Sequence, residues 1–373
     1  MSPITTASEH LGGAAIRDFQ SESPLHPKAR ELLHTFFDQG WADPSKIHQS
    51  SARLRILINE AQEEIAQGLG CQKSELEFVG ELGFGFWIAL SGLLPNTDQD
   101  FIYSTIDRQV VHAFARQHSA TGGRAEELRV DAEGHFTIPD ATPSAPSSNQ
   151  RTICWQAVNR EIGVIQKAPS TKPSDYLFAD MTAASPTMRL PSNWSVALWD
   201  PRRFQGPQGL AIIAISEKSR WHNPLPPIDK RRTFGSYSKP LLLATAVALT
   251  EFLKDAQRNE QTIATLHQLL RRELSQRISG IRLLADSAQT DPRYFACAIP
   301  GTIGEEVLRN LEKSGFLIDA GSACGAGALS PSHVCDAIGW AGLAHLRVTL
   351  KEDQSESDVV DLASALQSAV GKV

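Results

Sequence analysis

Residues 195–215 read SVALWDPRRFQGPQGLAIIAI. Two short apolar runs, 195–198 and 210–215, flank a polar stretch punctuated by two prolines and two glycines. Runs of this length with turn residues beside them predict buried strands, and Gly206-Pro207-Gln208-Gly209 predicts a tight turn rather than a phosphate loop. The same rhythm extends towards the N-terminus. Strands are predicted at 101–105, 128–130, 152–157 and 175–180, with a helix over about 107–118 between the first two. Short apolar strands alternating with helical stretches imply an α/β layer whose sheet is mostly parallel and covered on both faces. Upstream, 28–38 and 51–69 have helical character; the second places Leu54, Ile56, Leu57, Ala61 and Ile65 on one face and meets Gly70 as its stop.

Beyond residue 240 the pattern changes. A long amphipathic stretch, 240–278, predicts one long helix or a helix pair. It is followed by strands at 294–298, 316–319 and 346–350 and helices at 305–313 and 355–370, which suggests a smaller α+β domain. The expected organisation is an N-terminal arm over 1–20, a large α/β domain over 21–250 and a small C-terminal domain over 251–373. The Pro- and Ser-rich segment 138–150 is expected to be a surface loop.

The 373 residues carry 36 Lys and Arg against 42 Asp and Glu, a net charge of −6. This mild acidity argues against a broad electrostatic grip on nucleic acid or anionic lipid. The longest apolar run, 241–249, is well short of the ~20 residues that cross a bilayer. The first residues, MSPITTASEHLGG, lack a basic start and a long apolar stretch. Five cysteines without a CxxC pair predict free thiols in a reducing compartment, so a cytoplasmic location is expected. The 11 histidines show no familiar zinc spacing and predict no metal site. Gly83-x-Gly85 lacks the remainder of a dinucleotide fingerprint, and the seven tryptophans are too dispersed for a base-stacking platform.

The sharpest local feature is Gly321-Ser322-Ala323-Cys324-Gly325-Ala326-Gly327. Glycines give a thiol accessible, flexible backbone, and a nearby cation would ionise it. A buried, inert cysteine is the alternative. This segment, with 329–334 (LSPSHV) after it, resembles the catalytic-cysteine loop of the cysteine desulfurases, in the class V aminotransferase group of fold-type I pyridoxal phosphate (PLP) enzymes. The resemblance runs from about Arg17 to Leu366. Residues 17–24 (RDFQSESP) resemble that family's opening strand and turn, and 158–166 (VNREIGVIQ) its N-N-E-I-G-V-x-Q segment. Phe204-Gln205-Gly206-Pro207-Gln208-Gly209 is similar to its G-P-K-G turn, and 346–350 (LRVTL) to the strand that holds its substrate-binding arginine.

The resemblance implies a mostly parallel seven-stranded sheet, a homodimer to which 241–249 contributes, Cys324 as the sulfur-accepting thiol and Arg347 as the carboxylate binder. It also exposes departures. Aligned on the glycine-proline turn, Arg203 stands where the family has its Schiff-base lysine and Arg202 where it has the preceding histidine. Glu81-Leu82-Gly83 aligns with the glycine-alanine-threonine turn that binds the cofactor phosphate. Arg108 aligns with the histidine that stacks on the pyridine ring, and Ala183 with a glutamine near it. Asp180 matches the aspartate that faces the pyridine nitrogen, and Ser236 a phosphate-binding threonine from the partner subunit.

A guanidinium stays protonated and is a very poor nucleophile, so Arg203 cannot replace the lysine. Arg108, Arg202 and Arg203, with Arg160 near the rim, would be costly without partners. Either Glu81, Asp180 and Asp200 neutralise them, or an anionic small molecule (a phosphate, carboxylate or nucleotide) does. No cofactor is expected; PLP would require non-covalent binding or another lysine, for which Lys239 and Lys351 are candidates. Three functions follow. The leading one is a desulfurase-like protein without conventional PLP catalysis, acting through its arginine-rich pocket and Cys324 persulfide chemistry. The others are a PLP enzyme with a non-standard lysine, and a non-catalytic dimer that docks onto sulfur-acceptor or iron–sulfur assembly proteins. Neither nucleic acid nor membrane is an expected partner.

Overall fold

A computed structural model describes residues 17–39, 42–138, 150–227, 232–235, 237–284, 289–320 and 332–371. In chain order the elements are β1 (Arg17–Asp18), α1 (Pro27–Gln39), α2 (Gln49–Leu69), β2 (Leu76–Val79), α3 (Leu82–Leu93), β3 (Asp100–Ser104), α4 (Gln109–Ala120) and β4 (Arg124–Leu128). Next come β5 (Arg151–Gln156), β6 (Tyr176–Asp180), β7 (Val196–Trp199), β8 (Ala211–Ile215) and the single long helix α5 (Lys239–Arg277). Last are β9 (Arg282–Leu283), β10 (Tyr294–Ile299), α6 (Gly304–Lys313), β11 (Phe316–Leu317), β12 (Asp319–Ala320), α7 (His333–Ala337), β13 (Ala344–Thr349) and α8 (Glu356–Val370).

The chain divides into two units, one of Ser23–Asn159 and Val164–Gln257, the other of Met1–Glu22, Arg160–Gly163 and Arg258–Val373. The first holds a seven-stranded sheet in the order β2-β8-β7-β6-β5-β3-β4. Strand β8 is antiparallel to β2 and β7, and the remaining pairings are parallel. The mostly parallel seven-stranded α/β architecture is therefore present. Strands β5 to β8 are buried along their whole length, which is why β6, β7 and β8 read as nearly continuous apolar runs.

Some expectations change. Strand β4 lies earlier than 128–130, because its sequence, RAEEL, carries the charges that protect a sheet edge and hide it from an apolar search. Helix α3 (LGFGFWIALSGL) is apolar all round, so it shows no amphipathic period; it packs on β6, β7 and β8. Gly70, with φ of 74°, does end α2. Of the five residues assigned to its buried face, however, Ile56 is 58% and Leu57 45% exposed. Of residues 241–249, expected to contribute to a homodimer interface, Leu242 and Leu249 are buried within the chain and Leu241 and Val247 are half-buried.

The second unit pairs a four-stranded antiparallel sheet, β12-β13-β10-β9, with a two-stranded parallel one, β1-β11. Its core includes Phe19, Leu270, Leu274, Phe295, Leu346 and Leu362. The single strand expected over 316–319 is two short ones, β11 paired with β1 and β12 with β13. Among the described residues no helix is long and apolar enough to cross a membrane.

Candidate functional site

Open α/β sheets bind ligands just beyond the carboxyl ends of their parallel strands. Strand β2 runs in the same direction as β7, since β8 is antiparallel to both. Glu81 follows β2, Asp107 and Arg108 follow β3, Asp180 and Thr182 close β6, and Asp200, Arg202 and Arg203 follow β7. The seven-stranded unit thus brings three arginines and four carboxylates to one edge.

Arg108 and Arg202 are paired with acids, and Arg203 donates to a backbone carbonyl. Arg108 Nε donates to Asp180 Oδ2 at 3.2 Å, and its terminal nitrogen to Thr182 Oγ1 at 2.6 Å. Asp180 Oδ1 accepts from the Thr182 amide at 2.9 Å and from its hydroxyl at 2.5 Å, closing a three-residue ring. Asp200 caps the turn Pro201–Phe204 by accepting from the Arg202 amide, and it takes the Arg202 guanidinium at 2.6–3.1 Å. Such forked pairs are the stronger kind of ionic hydrogen bond. Arg203 is 6% exposed and donates from Nε to the Ala183 carbonyl at 2.9 Å. Glu81 does not join them: its carboxylate caps α3, accepting from the amides of Gly83 and Phe84 at 2.7 Å each.

Beneath Arg108 lies a group that the sequence reading missed. Asp107 is fully buried and accepts from the Ser104 amide at 2.7 Å. Burial pushes its carboxyl up to about 7; the Ser104 bond opposes this, the Asp180 charge adds to it, and the Cys154 thiol and Arg108 oppose it. Only the acid-then-arginine sequence after a strand hinted at its place.

In the other unit Arg347, on β13, binds Asp319 at 2.5 Å, Glu161 at 3.2 Å and the Ala320 carbonyl at 3.3 Å. Glu161 also accepts from Ser332 at 2.6 Å. Arg160, expected near the arginine cluster, pairs with Glu22 at 3.1 Å. Lys351 lies 3.8 Å from Asp18, while Lys239, in the first unit, donates to the Gly235 carbonyl and sits 3.3 Å above the Tyr237 ring. Cys324 and Ser236 lie outside the described residues. Burial pushes the thiols of Cys71, Cys297 and Cys335 up to about 12, and that of Cys154 well above its ordinary value.

The fold family implies PLP, which requires an amine for its aldehyde, a carboxylate facing its ring nitrogen and donors for its phosphate. The side chains at the aligned positions do not fit it. Arg203 offers no amine, both oxygens of Asp180 are engaged by Arg108 and Thr182, and the α3 amides are occupied by Glu81.

The fold is the fold-type I α/β architecture seen in solved NifS-like proteins. A solved NifS-like protein covers 96% of this chain and 100% of its own at a TM-score of 0.83 and 16% identity. The apo cysteine desulfurase of Thermococcus onnurineus covers 99% and 96% at a TM-score of 0.80 and 14% identity. In sequence the chain is similar to cysteine desulfurases: it is 24% identical to cysteine desulfurase IscS of Dictyoglomus turgidum, across 95% of this chain and 94% of that one. No protein-family model matches it.

Proposed function

We propose that this chain is a cysteine desulfurase-like protein that works without a PLP Schiff base and carries sulfur on Cys324. The observation behind this reading is Arg203, buried and donating to the Ala183 carbonyl at the position aligned with the family's lysine. A permanently protonated guanidinium has no lone pair free to condense with an aldehyde. The four described thiols are held protonated by burial, which leaves Cys324 as the candidate nucleophile. Its thiolate would attack the outer sulfur of a donor persulfide. The sulfur–sulfur bond breaks, the donor leaves as a thiolate, and Cys324 becomes a persulfide with no external oxidant or reductant. An acceptor thiolate then takes the sulfur by the same exchange.

A homodimer that hands sulfur to an acceptor or iron–sulfur assembly protein suits this role. The exposed Phe37, Ile47, Ile56 and Leu57 supply apolar surface for a protein neighbour. The test mixes purified protein with PLP and follows the aldimine absorbance band with borohydride trapping. Neither band nor trapped adduct is expected. Separately, a small-molecule persulfide should load wild type with one sulfur that Cys324→Ser cannot carry. A borohydride-trapped adduct on any lysine, Lys239 and Lys351 included, would overturn the reading.

A further inference from the structure

The amino end of α3 carries a pairing that no functional assignment explains. The first amides of a helix have no partner within it and form a ready site for an anion. Here Glu81 takes two of them: its two carboxylate oxygens accept from Gly83 and Phe84, while the Gly85 amide makes the helix's first internal bond, to the Glu81 carbonyl at 3.1 Å. Gly83 is part of the same device: a Cβ built there would lie 2.9 and 3.1 Å from the Glu81 oxygens. The φ of Gly83 is not positive, so the backbone does not demand glycine; a side chain there would instead make the folded-back carboxylate shift. Glu81 and Gly83 therefore form a coupled pair, at the strand edge where a ligand of this sheet would bind.

We propose that Glu81 is a built-in anion that shuts phosphate-bearing ligands out of the strand-edge crevice, and that Gly83 is the residue that makes room for it. An incoming phosphate monoester would meet amides already in use and a like charge within hydrogen-bonding distance of the same donors. This rests on the reading that the crevice holds no PLP, and it adds the reason at the phosphate end. Arg108 and Arg202 do not undo the exclusion, because Asp180 and Asp200 already hold them.

The prediction is that removing the pair converts the helix end into a phosphate site. The test measures melting temperature against inorganic phosphate, with sodium chloride matching the ionic strength, for wild type, Glu81→Gly/Gly83→Thr and Glu81→Ser. Serine is itself a good helix cap, so the second variant keeps α3 if the double variant does not fold. A folded variant should bind phosphate about tenfold more tightly than wild type, a modest gain because Glu81 is solvent-exposed. Phosphate stabilisation of a variant that clearly exceeds that of wild type supports the proposal. Wild type stabilised as strongly as the variants, or folded variants that ignore phosphate, overturns it. The assay contains no aldehyde, so its failure is separable from that of the PLP reading, which a wild-type aldimine alone would sink.

Discussion

Replacing Asp107 with asparagine tests the electrostatics of the crevice floor. The carboxyl stands at about 7 in the folded chain, against an ordinary value of 3.8. Over that interval the native protein keeps a proton that the unfolded chain has released. The native state binds more protons there, so stability falls as pH rises through the interval. The contribution is fully present below about 3.8 and lost above about 7. At about 1.4 kcal/mol per pH unit, the penalty on ionised Asp107 reaches about 4 kcal/mol at most. Asparagine keeps an oxygen for the Ser104 amide but has no proton to lose. The stability of Asp107→Asn minus that of wild type should therefore rise by about 2–3 kcal/mol between roughly pH 5 and 8. Urea denaturation of both proteins in matched buffers measures this difference, and the groups common to both cancel. Parallel stability curves across the range would refute a shifted Asp107. Adding Asp180→Asn should move the transition to lower pH, since the Asp180 charge raises Asp107.

Other outcomes are as definite. Gly163 has φ of 74°, and its Cβ would lie 2.5 Å from the Tyr294 carbonyl, so Gly163→Ala should cost about 1–3 kcal/mol or more in thermal unfolding. Gly280 shares the φ of 74° but has open space around it, and Gly280→Ala should cost less, about 1 kcal/mol. With a thiol reagent under native conditions, the buried Cys154, Cys297 and Cys335 should label only on unfolding, and the half-buried Cys71 only slowly; rapid labelling that persists in Cys324→Ser would contradict this.

What the sequence made legible follows from where the physics is local. Strands β6 and β8 read as strands because both of their faces are buried, and Gly70 marked the end of α2 because only a left-handed residue closes it that way. The apolar α3 and the charged edge strand β4 carry no period, so they stayed hidden. At the site, residue types were readable but partnerships were not. Asp180 is 72 positions from Arg108, and Arg347 is 28 from Asp319. Only folding decides which acid meets which base. Glu81 shows this: grouped with the arginines by charge, it caps a helix instead. Its signal was local all the same, an acid directly ahead of an apolar helix.

The positions that the family resemblance aligns with cofactor contacts come in matched sets, and this constrains what a single substitution achieves. Arg108 is tied to Asp180 and Thr182, Arg202 to Asp200, and the Glu81 carboxylate to the bare backbone of Gly83. Arg203→Lys alone would supply an amine and leave the rest in place: Asp180 still held by the Arg108 guanidinium, the α3 amides still capped. The lysine variant should therefore fail to form an aldimine with PLP. Adding Arg108→His frees Asp180 Oδ2, and adding Glu81→Gly with Gly83→Thr frees the phosphate end. Aldimine formation should appear only as these sets are exchanged together, read by the absorbance band and borohydride trapping. An aldimine in the single lysine variant would show that the internal pairs yield to the cofactor, and that Arg203 alone had kept it out.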